Sequence, residues 1–122
     1  YVPGLLATGA KQIVARQRPS VADFDGSVWS SFVGWLPAIR TDQFDEAFDY
    51  AVQSFPSGHT ATGVGLAIGL SFAYPHGRWL FAMFAALAGL QRVVAGAHFP
   101  SDVFVGAAIA CLVAPLFAPR KK

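Results

Sequence analysis

Three stretches without a single Asp, Glu, Lys or Arg, residues 60–74, 79–90 and 103–117, constrain this chain more than any other feature. Each is bounded by polar or helix-breaking residues, and with weakly polar flanks each approaches the roughly 17 to 20 residues that a bilayer-crossing helix needs. Ala and Gly recur within them, as in ATGVGLAIGL and FAALAGL, so helix backbones can approach closely and pack on one another. The chain has 122 residues, 54% of them hydrophobic and 13% charged. That size allows one domain, residues 1–122, and the charge content is low for a soluble one. A soluble bundle with Ala-rich buried helices is the competing architecture.

The first residue is Tyr1, and YVPGLLATGA is too short to cross a membrane before the polar Lys11. The expectation is a piece of a longer protein, a fragment lacking N-terminal membrane helices. Cys111, the single cysteine, lies inside the last apolar run and has no partner for an intramolecular disulfide.

Charge is distributed unevenly. Of seven carboxylates, six fall between Asp23 and Asp49 and the seventh is Asp102. The acidic segment, roughly residues 20–55, also carries Trp29, Phe32, Trp35 and Pro37, which suits either an ordered loop or short helix at lipid headgroups, or a plain surface loop with an aromatic cluster. Arg78 lies in the turn between the first two apolar runs, and Arg120, Lys121 and Lys122 follow the third. If the three helices alternate in direction, that turn and the C-terminus emerge on one side, which the positive-inside rule makes cytoplasmic. The opposite, extracytoplasmic side then receives the start of the first run, the end of the second and the start of the third. His59, Arg92, His98 and Asp102 belong to those three places.

In FPSGHTATG, Pro56, Ser57 and Gly58 read as a helix start, with the serine as cap and the glycine permitting close backbone approach. Free N–H groups at such an end attract anions such as phosphate, and His59 projects beside them. In KQIVARQRP, Lys11 and Arg18 are seven residues apart and share a face if the segment stays helical up to Pro19. The plainer reading makes Lys11, Arg16 and Arg18 a basic membrane flank. Arg92 and His98 would point about 120° apart on an unbroken helix, but Gly96 offers a break that turns His98 back toward Arg92. Pro100 fits the first turn of a new helix, and Asp102 in that turn can reach toward the imidazole, fix its tautomer and leave the other nitrogen free to attack.

The conjunction of cations, two histidines, a donor-rich helix start and one carboxylate on one membrane face points to phosphoryl transfer. A pentacoordinate phosphorus spreads negative charge over equatorial oxygens that Lys, Arg and backbone N–H groups stabilise. One histidine attacks while the other protonates the leaving oxygen. A metal site is disfavoured, because Lys11, Arg18 and Arg92 would repel a divalent ion and no HxxxH pair occurs.

KQIVARQRP, PSGH and QRVVAGAHFPSD together resemble the tripartite signature of the type 2 phosphatidic acid phosphatase superfamily, KxxxxxxRP, PSGH and SRxxxxxHxxxD. The three parts occur in the right order from Lys11 to Asp102, and only Gln91, standing where the pattern has Ser, departs. The resemblance implies an all-α transmembrane helical bundle of the phosphatidic acid phosphatase type 2 and haloperoxidase-like kind, without metal or other cofactor. It casts His98 as the nucleophile forming a phosphohistidine, Asp102 as its orienting carboxylate and His59 as general acid. Lys11, Arg18, Ser57, Gly58 and Arg92 would hold the phosphate oxygens. The implied protein is an integral membrane phosphatase, in a bacterial cytoplasmic membrane with its site on the extracytoplasmic side. Its partners would be a lipid phosphate or lipid pyrophosphate substrate and the membrane, with no nucleic acid. Two alternatives stay open: a phosphotransferase using the same site, and a noncatalytic membrane protein that binds anionic headgroups.

Overall fold

The computed structural model describes residues 1–22, 27–36 and 50–117. The carboxylates of the acidic segment, Pro37 and the basic Arg120, Lys121 and Lys122 lie outside the described residues, while Trp29 and Trp35 of that segment are exposed and Arg78 opens the third helix.

Among the described residues four α-helices carry the fold: α1 (Val2–Ala10), α2 (Gly58–Ala73), α3 (Arg78–Val94) and α4 (Pro100–Val113). Their ends follow from local chemistry. Pro3 lies in the first turn of α1 and Pro100 opens α4, where a missing N–H costs nothing. Ser57 caps α2, its Oγ accepting from the Thr60 N–H at 3.3 Å. A single 3-10 turn, Pro75–Gly77, links α2 to α3, and another, Ala114–Phe117, prolongs α4.

Helix α2 is central and packs against the other three. The contacts use small residues: Ala7, Ala61, Ala67, Ala85 and Ala110 are buried, while Leu66, Leu80, Phe84, Leu87, Phe104 and Leu112 face outward. An exterior of large apolar side chains around a core of alanines is the pattern of helices that pack within lipid. Length sets a limit on that reading. Only Pro100–Phe117, α4 with its 3-10 extension, is long and apolar enough to cross a membrane among the described residues, with a mean hydropathy of 1.8 over 18 residues. At 16 and 17 residues, α2 and α3 extend about 24 and 26 Å at the usual rise per residue, short of a hydrocarbon core of about 30 Å.

The all-α expectation needs correction in one place. Between α1 and α2 lies a two-stranded antiparallel ribbon, β1 (Val14–Arg16) and β2 (Phe32–Trp35), pairing Val14 with Trp35 and Ala15 with Gly34. The condition under which Lys11 and Arg18 would share a helix face, a helix continuing up to Pro19, is not met, because α1 stops at Ala10. β-Branched Ile13 and Val14, followed by a proline that disfavours helix in the residue before it, favour extended chain here. A third segment lies along Arg16, which bridges in parallel to Gln53, while Ser54 N–H donates to Arg16 C=O at 3.0 Å. That pairing brings the residues just ahead of α2 to the base of the site.

Candidate active site

The site forms at one end of the helices, where the start of α2, the end of α3 and the start of α4 meet the ribbon. Gly96 has φ of +65°, a left-handed conformation that glycine adopts without strain. Through it the chain doubles back, so that Ala97 N–H and His98 N–H both donate to the Arg92 carbonyl, at 3.1 and 3.3 Å. The break inferred from sequence is therefore real, and it delivers His98 into the interior, 1% exposed.

His98 Nδ1 lies 2.6 Å from the Ser54 carbonyl oxygen. Because that oxygen can only accept, the neutral ring carries its proton on Nδ1. Nε2 is buried and has no hydrogen-bond partner among the described residues. Burial pushes the imidazole down to about 4, and the charges of Arg18 and Lys11 act in the same direction against the opposing Ser54 carbonyl and Asp102. His98 is thus a neutral imidazole at ordinary pH with a lone pair on Nε2.

Asp102 is fully buried but does not touch the ring: its Oδ2 is 3.9 Å from Nδ1. The direct contact read from the four-residue spacing is replaced by three others. Oδ2 accepts from Ser54 Oγ at 2.5 Å and from the Phe99 N–H at 2.9 Å, the latter capping α4. Oδ1 pairs with the Arg16 guanidinium.

Arg16 is the residue that sequence reasoning misjudged. It is 2% exposed, not a membrane flank. Its Nε donates to Ser31 Oγ at 3.1 Å and Nη1 to Ser101 Oγ at 2.8 Å, and the guanidinium lies between the rings of Phe32 and Phe99, 4.5 and 4.0 Å from their centroids. A planar cation between two aromatic faces and bonded to a buried carboxylate is a use suited to arginine. The available signal was its place inside KQIVARQRP, two residues from Arg18 and so on the same strand face if that segment is extended. Ser54 was missed as well, although it directly precedes FPSGH.

Of the other predicted residues, Arg18 and Lys11 lie within electrostatic reach of His98, and Arg92, Lys11 and Arg18 within reach of His59. Arg18 is buried, with its Nη1 donating to the Ala97 carbonyl at 3.1 Å and its N–H to Ala51 C=O at 2.8 Å. Lys11, in the turn after α1, lines an open cavity of about 560 Å³ with Gly58 and His59. Burial pushes the Lys11 ammonium below its usual value, helped by the charge of Arg18. His59 is exposed in the first turn of α2, ahead of the apolar run. Partial burial, then the charges of Arg92, Lys11 and Arg18, hold its imidazole below the usual value. Arg92 is half-buried and donates from Nε to Gln91 Oε1 at 2.7 Å.

At the start of α2, Ser57 is already engaged: its N–H donates to the Asp102 carbonyl at 3.0 Å and its Oγ accepts from Thr60 Oγ1 at 2.9 Å. The N–H groups of Gly58 and His59 have no acceptor among the described residues. Two free donors at the positive end of a helix, three cations and a partnerless imidazole nitrogen can accommodate a phosphoryl group. No cluster of three potential metal ligands occurs among the described residues.

Comparison with known proteins finds phosphatases. Lipid A 1-phosphatase of Rhizobium etli is 33% identical over 106 residues, 86% of this chain and 40% of the relative. Undecaprenyl-diphosphatase BcrC of Bacillus subtilis is 33% identical over 64 residues, covering 52% of this chain and 33% of the relative. A non-specific acid phosphatase of Salmonella typhimurium is 47% identical over 53 residues, 43% of this chain and 21% of the relative. The chain thus spans less than half the length of these curated relatives. No solved structure matches it. The family model described as PAP2 superfamily matches residues 2–120, nearly the whole length, and the chain belongs to that superfamily.

Proposed function

We propose that this chain carries the catalytic centre of a membrane phosphatase that removes the terminal phosphate of a lipid phosphate or lipid pyrophosphate through a phosphohistidine on His98. The observation that carries the reading is the state of His98: Nδ1 bonded to a carbonyl, Nε2 buried without a partner among the described residues, and cations within electrostatic reach. The lone pair of Nε2 forms the N–P bond while the bond from phosphorus to the leaving oxygen breaks. His59, when protonated, gives that oxygen its proton. Neutral His59 then takes a proton from water as the water oxygen attacks phosphorus, the N–P bond breaks and inorganic phosphate leaves. Lys11, Arg18, Arg92 and the N–H groups of Gly58 and His59 hold the equatorial oxygens, where charge accumulates in the transition state. Ser57 contributes by capping α2 so that those N–H groups converge.

The lipid class is supported by the relatives, named for lipid A and undecaprenyl diphosphate, and by the apolar exterior of α2, α3 and α4. A membrane-embedded enzyme with its site at the extracytoplasmic headgroup level fits both, the side resting on the positive-inside argument. The test is phosphate release from these lipids by the whole protein in detergent with a chelator present, together with trapping of an acid-labile phosphoenzyme. Wild type should show both and His98→Ala neither. Near wild-type release from His98→Ala would remove His98 as nucleophile, and release abolished by the chelator would remove the metal-free mechanism.

A further inference from the structure

We propose that Ser54 is the positioning residue through which Asp102 acts on His98. The inference rests on the reading of His98 as nucleophile and adds to it a residue outside the three signature segments. Ser54 is completely buried, and each of its polar atoms is committed. Its N–H donates to the Arg16 carbonyl at 3.0 Å, its Oγ donates to Asp102 Oδ2 at 2.5 Å, and its carbonyl accepts from His98 Nδ1 at 2.6 Å. Asp102 itself is 3.9 Å from Nδ1, beyond hydrogen-bonding range.

The arrangement divides two tasks that one carboxylate performs when it bonds a histidine directly. Tautomer selection falls to the Ser54 carbonyl, which requires a proton on Nδ1 and so leaves Nε2 with its lone pair. Holding that carbonyl in place falls to the hydroxyl of the same residue, anchored to a carboxylate that is itself fixed by Arg16 and the Phe99 N–H. A neutral carbonyl against Nδ1 stabilises an imidazolium less than a carboxylate does, so the ring remains a neutral nucleophile until a phosphoryl group arrives. The hydroxyl also occupies Oδ2, which keeps Asp102 from capturing the Nδ1 proton. Alanine at position 54 retains the carbonyl and loses the anchor.

The experiment uses the whole protein. Ser54→Ala should lower kcat on the order of tenfold, the scale of a lost hydrogen bond to a charged group, with KM little changed. In an Asp102→Asn background the same substitution should add little, because the hydroxyl acts through the carboxylate. An equal loss in both backgrounds means that Ser54 merely fills space, and wild-type kcat in Ser54→Ala means that it does nothing for the reaction; either overturns the proposal. Should Asp102→Asn fail to fold, nitrogen NMR of labelled histidine decides without turnover. Wild-type His98 should be a single Nδ1–H tautomer, and Ser54→Ala a mixture. An Nε2–H ring in wild type, or an unaltered ring in Ser54→Ala, sinks the tether. A phosphoenzyme persisting in His98→Ala is a separate result and sinks the functional reading instead.

Discussion

Gly106 of α4 lies directly against the Ser57 carbonyl: a Cβ at position 106 would sit 2.4 Å from that oxygen and 3.3 Å from the carbonyl carbon. The obstacle is backbone and cannot rotate away. This approach, one turn beyond Asp102, holds α4 against the start of α2 and fixes the distance between the His98 loop and the N–H groups of Gly58 and His59. Gly106→Ala should therefore cost about 1–3 kcal/mol of stability, the usual range for overpacking. It should also lower kcat/KM by more than the unfolded fraction explains. Thermal denaturation in detergent alongside kinetics checks both; an unchanged melting temperature would show that the helices adjust freely.

The two histidines predict an acidic optimum. His98 must be neutral to attack, so kcat/KM should rise as pH increases through about 4. His59 must be protonated to serve the leaving oxygen, and its value is held below 6.5, so kcat/KM should fall again as pH rises through that lower value. A pH profile with and without His59→Ala separates the alkaline limb from titration of the substrate. An optimum above neutrality, or an alkaline limb that survives His59→Ala, removes His59 as the acid.

Arg16→Met should destabilise the fold by about 3–5 kcal/mol, because it strands the Asp102 carboxylate in the interior without its cation. The Arg16→Met, Asp102→Asn double variant should be less destabilised than the sum of the two single changes, the signature of a direct pair. Melting temperatures of the four proteins test this. Strict additivity would mean that Arg16 and Asp102 contribute independently.

Gln91 supplies the Arg92 Nε with an acceptor at 2.7 Å on an exposed surface. Exposed charged contacts are worth about 0.2–1 kcal/mol, which corresponds to at most about fivefold in an equilibrium. Gln91→Leu should raise KM within that factor and leave kcat nearly unchanged, while Gln91→Ser should lie between it and wild type. A large fall in kcat would assign Gln91 a part in the chemical step.

Much of the site was legible because its elements have strong local signals. Pro56-Ser57-Gly58 and Pro100 mark helix starts by chemistry that needs no tertiary context, and Gly96 marks a break. The Lys11 to Arg18 segment was not legible in the same way. Ile13 and Val14 lean toward extended chain, but a strand needs a partner, and that partner, Phe32–Trp35, is distant in sequence. Arg16 and Asp102 are 86 residues apart, and Ser54 and Asp102 are 48 apart, so no periodicity could join them.

Local patterning and the alternation of apolar runs were enough to read the helical class and the meeting of His59, Arg92, His98 and Asp102 at one end, while the three signature segments carried the family resemblance. Tertiary structure decided which groups touch. In the buried site both oxygens of Asp102 are held by the donors that folding brought nearest: Arg16 from the ribbon, Ser54 from the chain before α2 and the Phe99 N–H from its own helix start. The imidazole was left to a carbonyl, and that assignment, invisible in the spacing from His98 to Asp102, fixes which nitrogen is free.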